Sequence, residues 1–370
     1  MLFNSYPFIF LFLPLTFFGY FFLNRRKLTI AAKTWLVAAS LFFYGYWNMI
    51  YVPLILGSIL FNYAVGSSLN ALEGGRQRPV LIVGIAGNLA LLAYFKYLDF
   101  FIANVNTLFS SSIPLLAIVL PLGISFFTFT QIAYLVDTAR GTAKEYSLVN
   151  YGLFVTFFPH LLAGPIIHHR EMMPQFDRLR NKVVRDRHIA RGLGLFAIGL
   201  FKKVIIADTF SPVAATGFDH LTSLTFGEAW VTSLAYTLQL YFDFSGYTDM
   251  ALGSSLLFNI TLPENFNSPY RSLSIQDFWR RWHMTLSRFV RDYIYIPLGG
   301  NRVSEPRVLL NIIVTFFLVG LWHGAGWTFV IWGLLHGTAL LVYHLWQQQP
   351  RRLPPVLAWC LTFLFVNTAW

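Results

Sequence analysis

Cysteine is nearly missing: Cys360 is the only one in 370 residues. No intrachain disulfide can form, and no thiolate cluster can hold a metal. Its setting, Ala358-Trp359-Cys360-Leu361-Thr362, is a plain apolar run, so Cys360 reads as packing. Charge is scarce too, at 12% of residues, where a soluble domain of this size carries about a quarter. There is no polar block long enough to be a soluble domain, and no strict apolar–polar alternation of the kind a membrane barrel needs. The sequence has no glycine-rich phosphate loop. It has no His-x-x-x-His or carboxylate pair at ligand spacing, so a metal is not indicated. It also lacks the matched pair of broken segments that marks many transporters.

What is present is apolar. Hydrophobic residues make up 56% of the chain and aromatics 18%, with a mean hydropathy of +0.56. Repeated apolar runs of about 17 or more residues define an all-α polytopic membrane protein. The length allows about nine to eleven membrane segments, some short or re-entrant. The net charge of +11 sits in short loops between runs, a pattern of cytoplasmic topology signals rather than of nucleic-acid binding.

The run at 7–23 is followed by Arg25, Arg26 and Lys27. A cleavable signal has the reverse order, so this is a first span with the 24–33 loop in the cytoplasm. Residues 35–63 are too long for one straight span and hold Trp47, Asn48 and Pro53, which predicts a bend or a helical pair. Segments at 80–97 and 113–136 follow, and 151–167 ends among Pro159, Gly164 and Pro165, with His160 between them. The most polar stretch, 168–191, carries Arg170, Arg178, Arg180, Lys182, Arg185, Arg187 and Arg191 against Glu171, Asp177 and Asp186. It reads as a cytoplasmic loop; the alternative is a landing surface for an anionic donor. After an apolar segment at 190–210 comes YFDFSGYTD at 241–249. Acids in such a context nearly always pair, so Asp243 either orients a histidine or holds a hydroxyl, or it forms a salt bridge inside the bundle.

Two stretches concentrate chemistry. Residues 309–346 are apolar nearly throughout, yet contain His323 among Gly320, Gly324, Ala325 and Gly326. As one helix this run would extend roughly 55 Å, against a hydrocarbon core of roughly 30 Å. It is therefore expected to break at Gly324-Ala325-Gly326, leaving an imidazole at the break. The second stretch, 271–300, opens with Ser274 and Asp277 at capping-box spacing, so a helix should begin near Ile275. On a continuous helix Ile275, Phe278, Trp279, Trp282, Leu286, Phe289 and Tyr293 share one face. Asp277, Arg280, Arg281, Arg288, Arg291 and Asp292 lie opposite, which suits a membrane interface. His283 falls at the edge of the apolar face and is expected to point inward. His336, about 220° round an ideal helix from His323, is expected on a different face. His188, His220 and His344 read as interfacial or loop residues.

SPYRSLSIQDFWRRWHMTLSRFVRDYIYIPLGGNR at 268–302 and GLWHGAGWTFVIWGLLHG at 320–337 resemble the membrane-bound O-acyltransferase family. The closest branch is the bacterial one that includes the alginate O-acetylation membrane protein and the teichoic-acid D-alanyl transfer protein. MLFNSYPFIFLFLPL at the start, FFPHLLAGPI at 157–166 and YFDFSGYTDMALG at 241–253 resemble it as well. The resemblance implies a ring of helices around a central catalytic cavity, His323 as the catalytic histidine and His283 as the second functional one. Asp243, Trp282, Trp322, Asn265 and Arg281 are the candidate substrate-binding residues. It implies no bound cofactor; the donor substrate is acyl-CoA or an acyl carrier protein on the cytoplasmic side. The acceptor is a hydroxyl of an extracytoplasmic polysaccharide or other envelope polymer, reached through an extracytoplasmic partner protein. The resemblance further implies a location in the bacterial inner membrane and an acetyl group, with D-alanyl, lipid or protein acylation as alternatives. A transporter with an intramembrane His/Asp proton relay is the rival from another class. The chain is expected to be one domain over 1–370, lacking the helices that follow VNTAW (366–370) in other members of the branch.

Overall fold

The computed structural model describes residues 1–220, 223–350 and 353–370, and among them there are helices and no strands. Among the described residues, five helical stretches are long and apolar enough to cross a membrane: Phe8–Arg25, Met49–Ala71, Gly74–Phe109, Glu305–His323 and Trp327–Trp346. Thr29–Gly45 and Pro355–Ala369 are shorter apolar helices. Large apolar side chains such as Phe10, Phe18, Ile30 and Ile331 lie exposed on these helices, as lipid-facing surfaces require. The chain divides into two compact units, Met1–Gly199 with Tyr247–Pro263, and Leu200–Gly246 with Glu264–Trp370.

The first unit holds α1 (Leu13–Arg25), α2 (Thr29–Gly45), α3 (Val52–Ala71), α4 (Gln77–Leu92), α5 (Leu98–Phe109), α6 (Ile124–Ala139), α7 (Leu148–Thr156), α8 (Phe158–Leu161) and α9 (His169–Asp177), and most of α10 (Asp186–Phe201). The expected break within 35–63 falls between Gly45 and Val52, making a helical pair. Polar side chains join the helices where lipid offers no other partner. Asn62 and Asn88 exchange amide hydrogen bonds between α3 and α4, at 3.1 and 2.6 Å, and both are buried. Gln131 of α6 donates to Ser58 Oγ (2.8 Å) and accepts from Tyr151 OH (3.2 Å).

Two expected segments need correction. The helix expected over 80–97 continues: with a π-turn at Ala93–Tyr97, helical structure runs from Gln77 to Phe109. The segment expected over 113–136 is helical only from Ile124. Pro114 and Pro121 cannot donate to a helix, and Gly123 takes φ +71°. The apolar stretch before it is held as a loop instead, with Asp99 accepting from the Leu116 and Ile118 amides at 2.8 and 2.9 Å. Hydrophobicity alone does not separate such a loop from a span.

Near the basic loops, tandem histidines are paired with acids: His168 with Asp137 and His169 with Glu145, each at 3.2 Å and with side chains at most 8% exposed. Burial acts to raise the Glu145 pKa. Hydrogen bonds from His169, the Ser147 amide and Asn150 outweigh it and hold the carboxyl below its ordinary value. A depressed carboxyl contributes stability above its unfolded pKa of about 4.3, and the contribution is lost as pH falls through the lower folded value. Glu145→Gln is therefore expected to lower the neutral-pH melting temperature and flatten its decline on acidification below about pH 4.3. Melting curves of the detergent-solubilised protein across pH check this; parallel curves for the two proteins would contradict it.

The second unit takes up the end of α10, then α11 (Asp208–Ala215), the first part of the 32-residue α12 (Phe226–Leu257), α13 (Ile275–Arg281), α14 (Met284–Val290), α15 (Glu305–His323), α16 (Trp327–Trp346) and α17 (Pro355–Ala369). Its core is aromatic: Phe278, Trp279 and Trp282 of the α13 segment pack with Tyr241, Phe266, Phe316, Trp332 and Trp370. Buried Asn367 ties α17 to α12 by donating to Thr237 Oγ1 (2.7 Å) and accepting from Ser233 Oγ (2.8 Å).

Candidate active site

The break expected at Gly324-Ala325-Gly326 is present: α15 ends at His323 and α16 begins at Trp327. Gly324 and Gly326 are extended, at φ −166° and −168°, so the chain reverses and the two helices return as a hairpin. They cross on bare backbone. A Cβ on Gly333 would lie 2.4 Å from the Phe316 carbonyl oxygen and 3.0 Å from Gly320 Cα, and a Cβ on Gly320 would lie 2.4 Å from the Phe329 carbonyl oxygen. This close approach brings the ring-bearing residues on the two helices together. Arg302 and Arg307 flank the N-terminal end of α15. At about 1.5 Å per residue its 19 residues carry His323 roughly 27 Å from that end.

His323 is exposed, whereas most of the described histidines are not. Its imidazole lies between two indoles, with centroids 4.8 Å from Trp322 and 4.7 Å from Trp332, both edge-on. Trp322 also meets the His283 ring, at 6.1 Å. Trp332 meets His336 at 4.6 Å. Imidazoles and indoles thus alternate from His283 through Trp322, His323 and Trp332 to His336.

His283 and the α13 segment follow the expectation in part. Ser274 caps α13, accepting from the Asp277 amide at 3.1 Å, and the helix starts at Ile275. His283 points inward, 1% exposed and edge-on to Phe244 at 4.9 Å. The continuous helix to Tyr293 is not formed. The chain turns at Trp282 and His283, with His283 left-handed at φ +44°, before α14 resumes at Met284.

The other candidate residues separate into groups. Trp282 is buried in the aromatic core, 5.1 Å from Phe266 and 5.0 Å from Trp370. Asn265 is 1% exposed and bonds to the start of α14. Arg281 is bound to Asp277 (2.9 Å) on the outer side of α13. Asp243 forms the salt bridge of the two alternatives: Lys203 Nζ lies 2.6 Å from Asp243 and 2.8 Å from Asp208. His344 pairs with Glu305 at 2.9 Å on the surface. The side chain of His220 lies outside the described residues.

The family profile for membrane-bound O-acyltransferases matches residues 17–369. The chain belongs to that family. It is 52% identical over 401 aligned positions to the peptidoglycan O-acetyltransferase of Helicobacter pylori, covering 100% of this chain and 76% of that protein. The probable alginate O-acetylase AlgI of Pseudomonas aeruginosa is 42% identical over 383 positions, covering 100% of this chain and 71% of its own. The teichoic acid D-alanyltransferase of Bacillus subtilis is 30% identical over 263 positions, covering 66% of each chain. The protein is accordingly a membrane O-acyltransferase, and its membrane-bound family agrees with its apolar helices.

In this O-acyltransferase His336, expected on a different face from His323, meets the same Trp332 ring that His323 does. It is fully buried, and its Nδ1 accepts from Trp279 Nε1 at 3.3 Å. The signal was available: once the chain breaks at 324–326, positions on the two arms are related by the hairpin, not by the phase of one helix. The glycines at 320 and 333 mark where the arms touch, and His336 lies one turn beyond Gly333.

Proposed function

We propose that this enzyme moves an acetyl group from a cytoplasmic thioester, acetyl-CoA or an acetylated carrier protein, to a hydroxyl of an envelope glycan outside the bacterial inner membrane. The observation that carries the reading is His323, exposed at the turn of a hairpin whose arms touch backbone to backbone and held between two indoles. A neutral imidazole is a base near pH 7. His323 removes the proton from the acceptor hydroxyl as its oxygen attacks the thioester carbonyl. The C–S bond then breaks, and the leaving thiolate recovers that proton from the imidazolium. General-base assistance of this kind is worth typically about 10²–10⁴-fold. The developing oxyanion needs donors; the Gly324 amide is already donated to the Gly320 carbonyl oxygen, which leaves the Trp322 indole N–H and the Ala325 and Gly326 amides as candidates. Gly326 is the N-cap of α16 and brings no side chain, and the dipole of that helix favours negative charge at this end.

His283 is the second functional histidine, orienting the donor or the first imidazole across Trp322. The donor then arrives from the cytoplasm and the acceptor from outside, presented by an extracytoplasmic partner; the roughly 27 Å that α15 spans between its basic end and His323 fits that arrangement. Acetyl is favoured over D-alanyl by 52% identity to an O-acetyltransferase against 30% to a D-alanyltransferase. Peptidoglycan glycan is the first acceptor to test, with alginate-type uronan second.

The test is reconstitution in nanodiscs with acetyl-CoA or acetylated carrier protein and soluble fragments of each polymer. Thiol release is followed together with ester formation by mass spectrometry. Acceptor-dependent thiol release matched by glycan acetate supports the reading. Absence of both with every donor–acceptor pair, in protein shown to be folded, overturns it.

A further inference from the structure

His283 sits in a conformation that a side-chain-bearing residue adopts only when its surroundings enforce it. It ends neither helix cleanly: Trp282 is extended, His283 is left-handed, and α14 starts at Met284 with His283 as an N-cap whose side chain makes no capping bond. The first amides of α14 therefore need acceptors from elsewhere. They find them on one residue far back in the chain. The Met284 amide donates to the Asn265 carbonyl oxygen (2.9 Å), and the Thr285 amide donates to Asn265 Oδ1 (3.2 Å). The Thr285 hydroxyl donates to the same Oδ1 at 2.8 Å. Two residues on, the Asn267 amide donates to the Arg281 carbonyl oxygen at 3.0 Å, on the other side of the turn. Residues 265–267 thus grip the 281–285 turn from both ends. The grip is dry, with Asn265, His283 and Thr285 each at most 2% exposed.

We infer that Asn265 is a positioning residue: it caps α14 from outside the helix and so holds the His283 turn with its imidazole against Phe244 and Trp322. The inference rests on the proposed role of His283 in the reaction. The amide orientation follows from chemistry, since a backbone N–H requires the oxygen of the side chain. Asn265 Nδ2 is then the free end, buried and without a hydrogen-bond partner. The two ends of the amide make different demands on a replacement, and that separates a capping role from direct contact with substrate. Asn265→Asp keeps the acceptor and loses the donor. Asn265→Ala loses both, and it leaves the Met284 bond to the main chain in place.

The experiment measures kcat and KM for the thioester in nanodisc-reconstituted wild type, Asn265→Ala, Asn265→Asp and His283→Ala, each verified as folded by size exclusion and circular dichroism. Asn265→Ala is expected to lower kcat by up to about 10²-fold with KM little changed, as a displaced group does in a preorganised site. Asn265→Asp is expected to recover most of that loss. Wild-type kcat in Asn265→Ala, or an Asp variant as impaired as the Ala variant, overturns the inference. If His283→Ala alone retains wild-type kcat, the reading on which the inference rests fails and the inference fails with it. If His283→Ala is impaired and Asn265→Ala is not, only the inference falls.

Discussion

His323→Ala is expected to lower acetyl transfer by about 10²–10⁴-fold, the usual worth of a general base. The protein should remain folded. His323 is the last residue of α15 and is exposed, so truncating it opens no buried cavity. The variant gives up edge-on ring packing with Trp322 and Trp332, and such pairs are worth about 0.5–1.5 kcal/mol. The effect should appear in kcat and leave KM for the thioester close to wild type, because the proton is removed only as the new bond forms. His323→Gln is the companion variant: it keeps a polar group of similar reach with no basic nitrogen, and is expected to be nearly as inactive. The measurement is acceptor-dependent thiol release in nanodiscs, with melting temperature recorded alongside. Turnover near wild type in either variant would remove His323 from the chemistry and leave the two indoles holding a spectator.

How far these features could be read in advance depends on where their cause lies along the chain. The break at 324–326 was legible because a geometric limit forced it: 309–346 is longer than a bilayer is thick, and only the Gly-Ala-Gly step offers a cheap reversal. The start of α13 was legible because Ser274 and Asp277 are local to it. The break at His283 was not, since the acceptors that stabilise it belong to Asn265, distant in sequence. Nothing in FWRRWHMTLSRF signals a turn, and its amphipathic phase runs through the break. His336 was lost to a different error, a phase angle taken for a straight helix across a site already expected to bend. A salt bridge was one of two alternatives for Asp243, but its partner Lys203 lies on another helix and no spacing rule reaches it. The loop before Ile124 shows the limit of hydropathy, which registers a lipid-compatible surface whether or not a helix bears it.

The hairpin that presents His323 depends on two residues having no side chain, Gly320 and Gly333, each facing backbone of the other arm. Gly333→Ala is expected to destabilise the protein strongly and to reduce activity as a consequence. The added Cβ would sit 2.4 Å from the Phe316 carbonyl oxygen, 3.0 Å from Gly320 Cα and 3.1 Å from Gly320 N. All three are backbone atoms of α15, so none can rotate out of the way as a flexible side chain would. The arms must part, and the Gly320–Gly333 contact is where close helix packing in lipid gains its dispersion energy. Overpacking a core costs typically about 1–3 kcal/mol, and a clash with main chain belongs at or above the top of that range. Parting the arms also draws Trp332 and His336 on α16 away from His323 on α15, so kcat should fall with stability. Gly194→Ala is the control: nothing lies within 4 Å of its added Cβ, and replacing glycine inside a helix by alanine gains about 0.5–1 kcal/mol. The melting temperature of Gly333→Ala should drop by several degrees while that of Gly194→Ala holds or rises. His323→Ala supplies the opposite pattern, activity lost with stability kept. The three variants together therefore separate the reacting ring from the backbone contact that carries it. A Gly333→Ala protein melting with the wild type would mean that the arms do not touch at 320 and 333, and that the alternation of imidazoles and indoles has some other support.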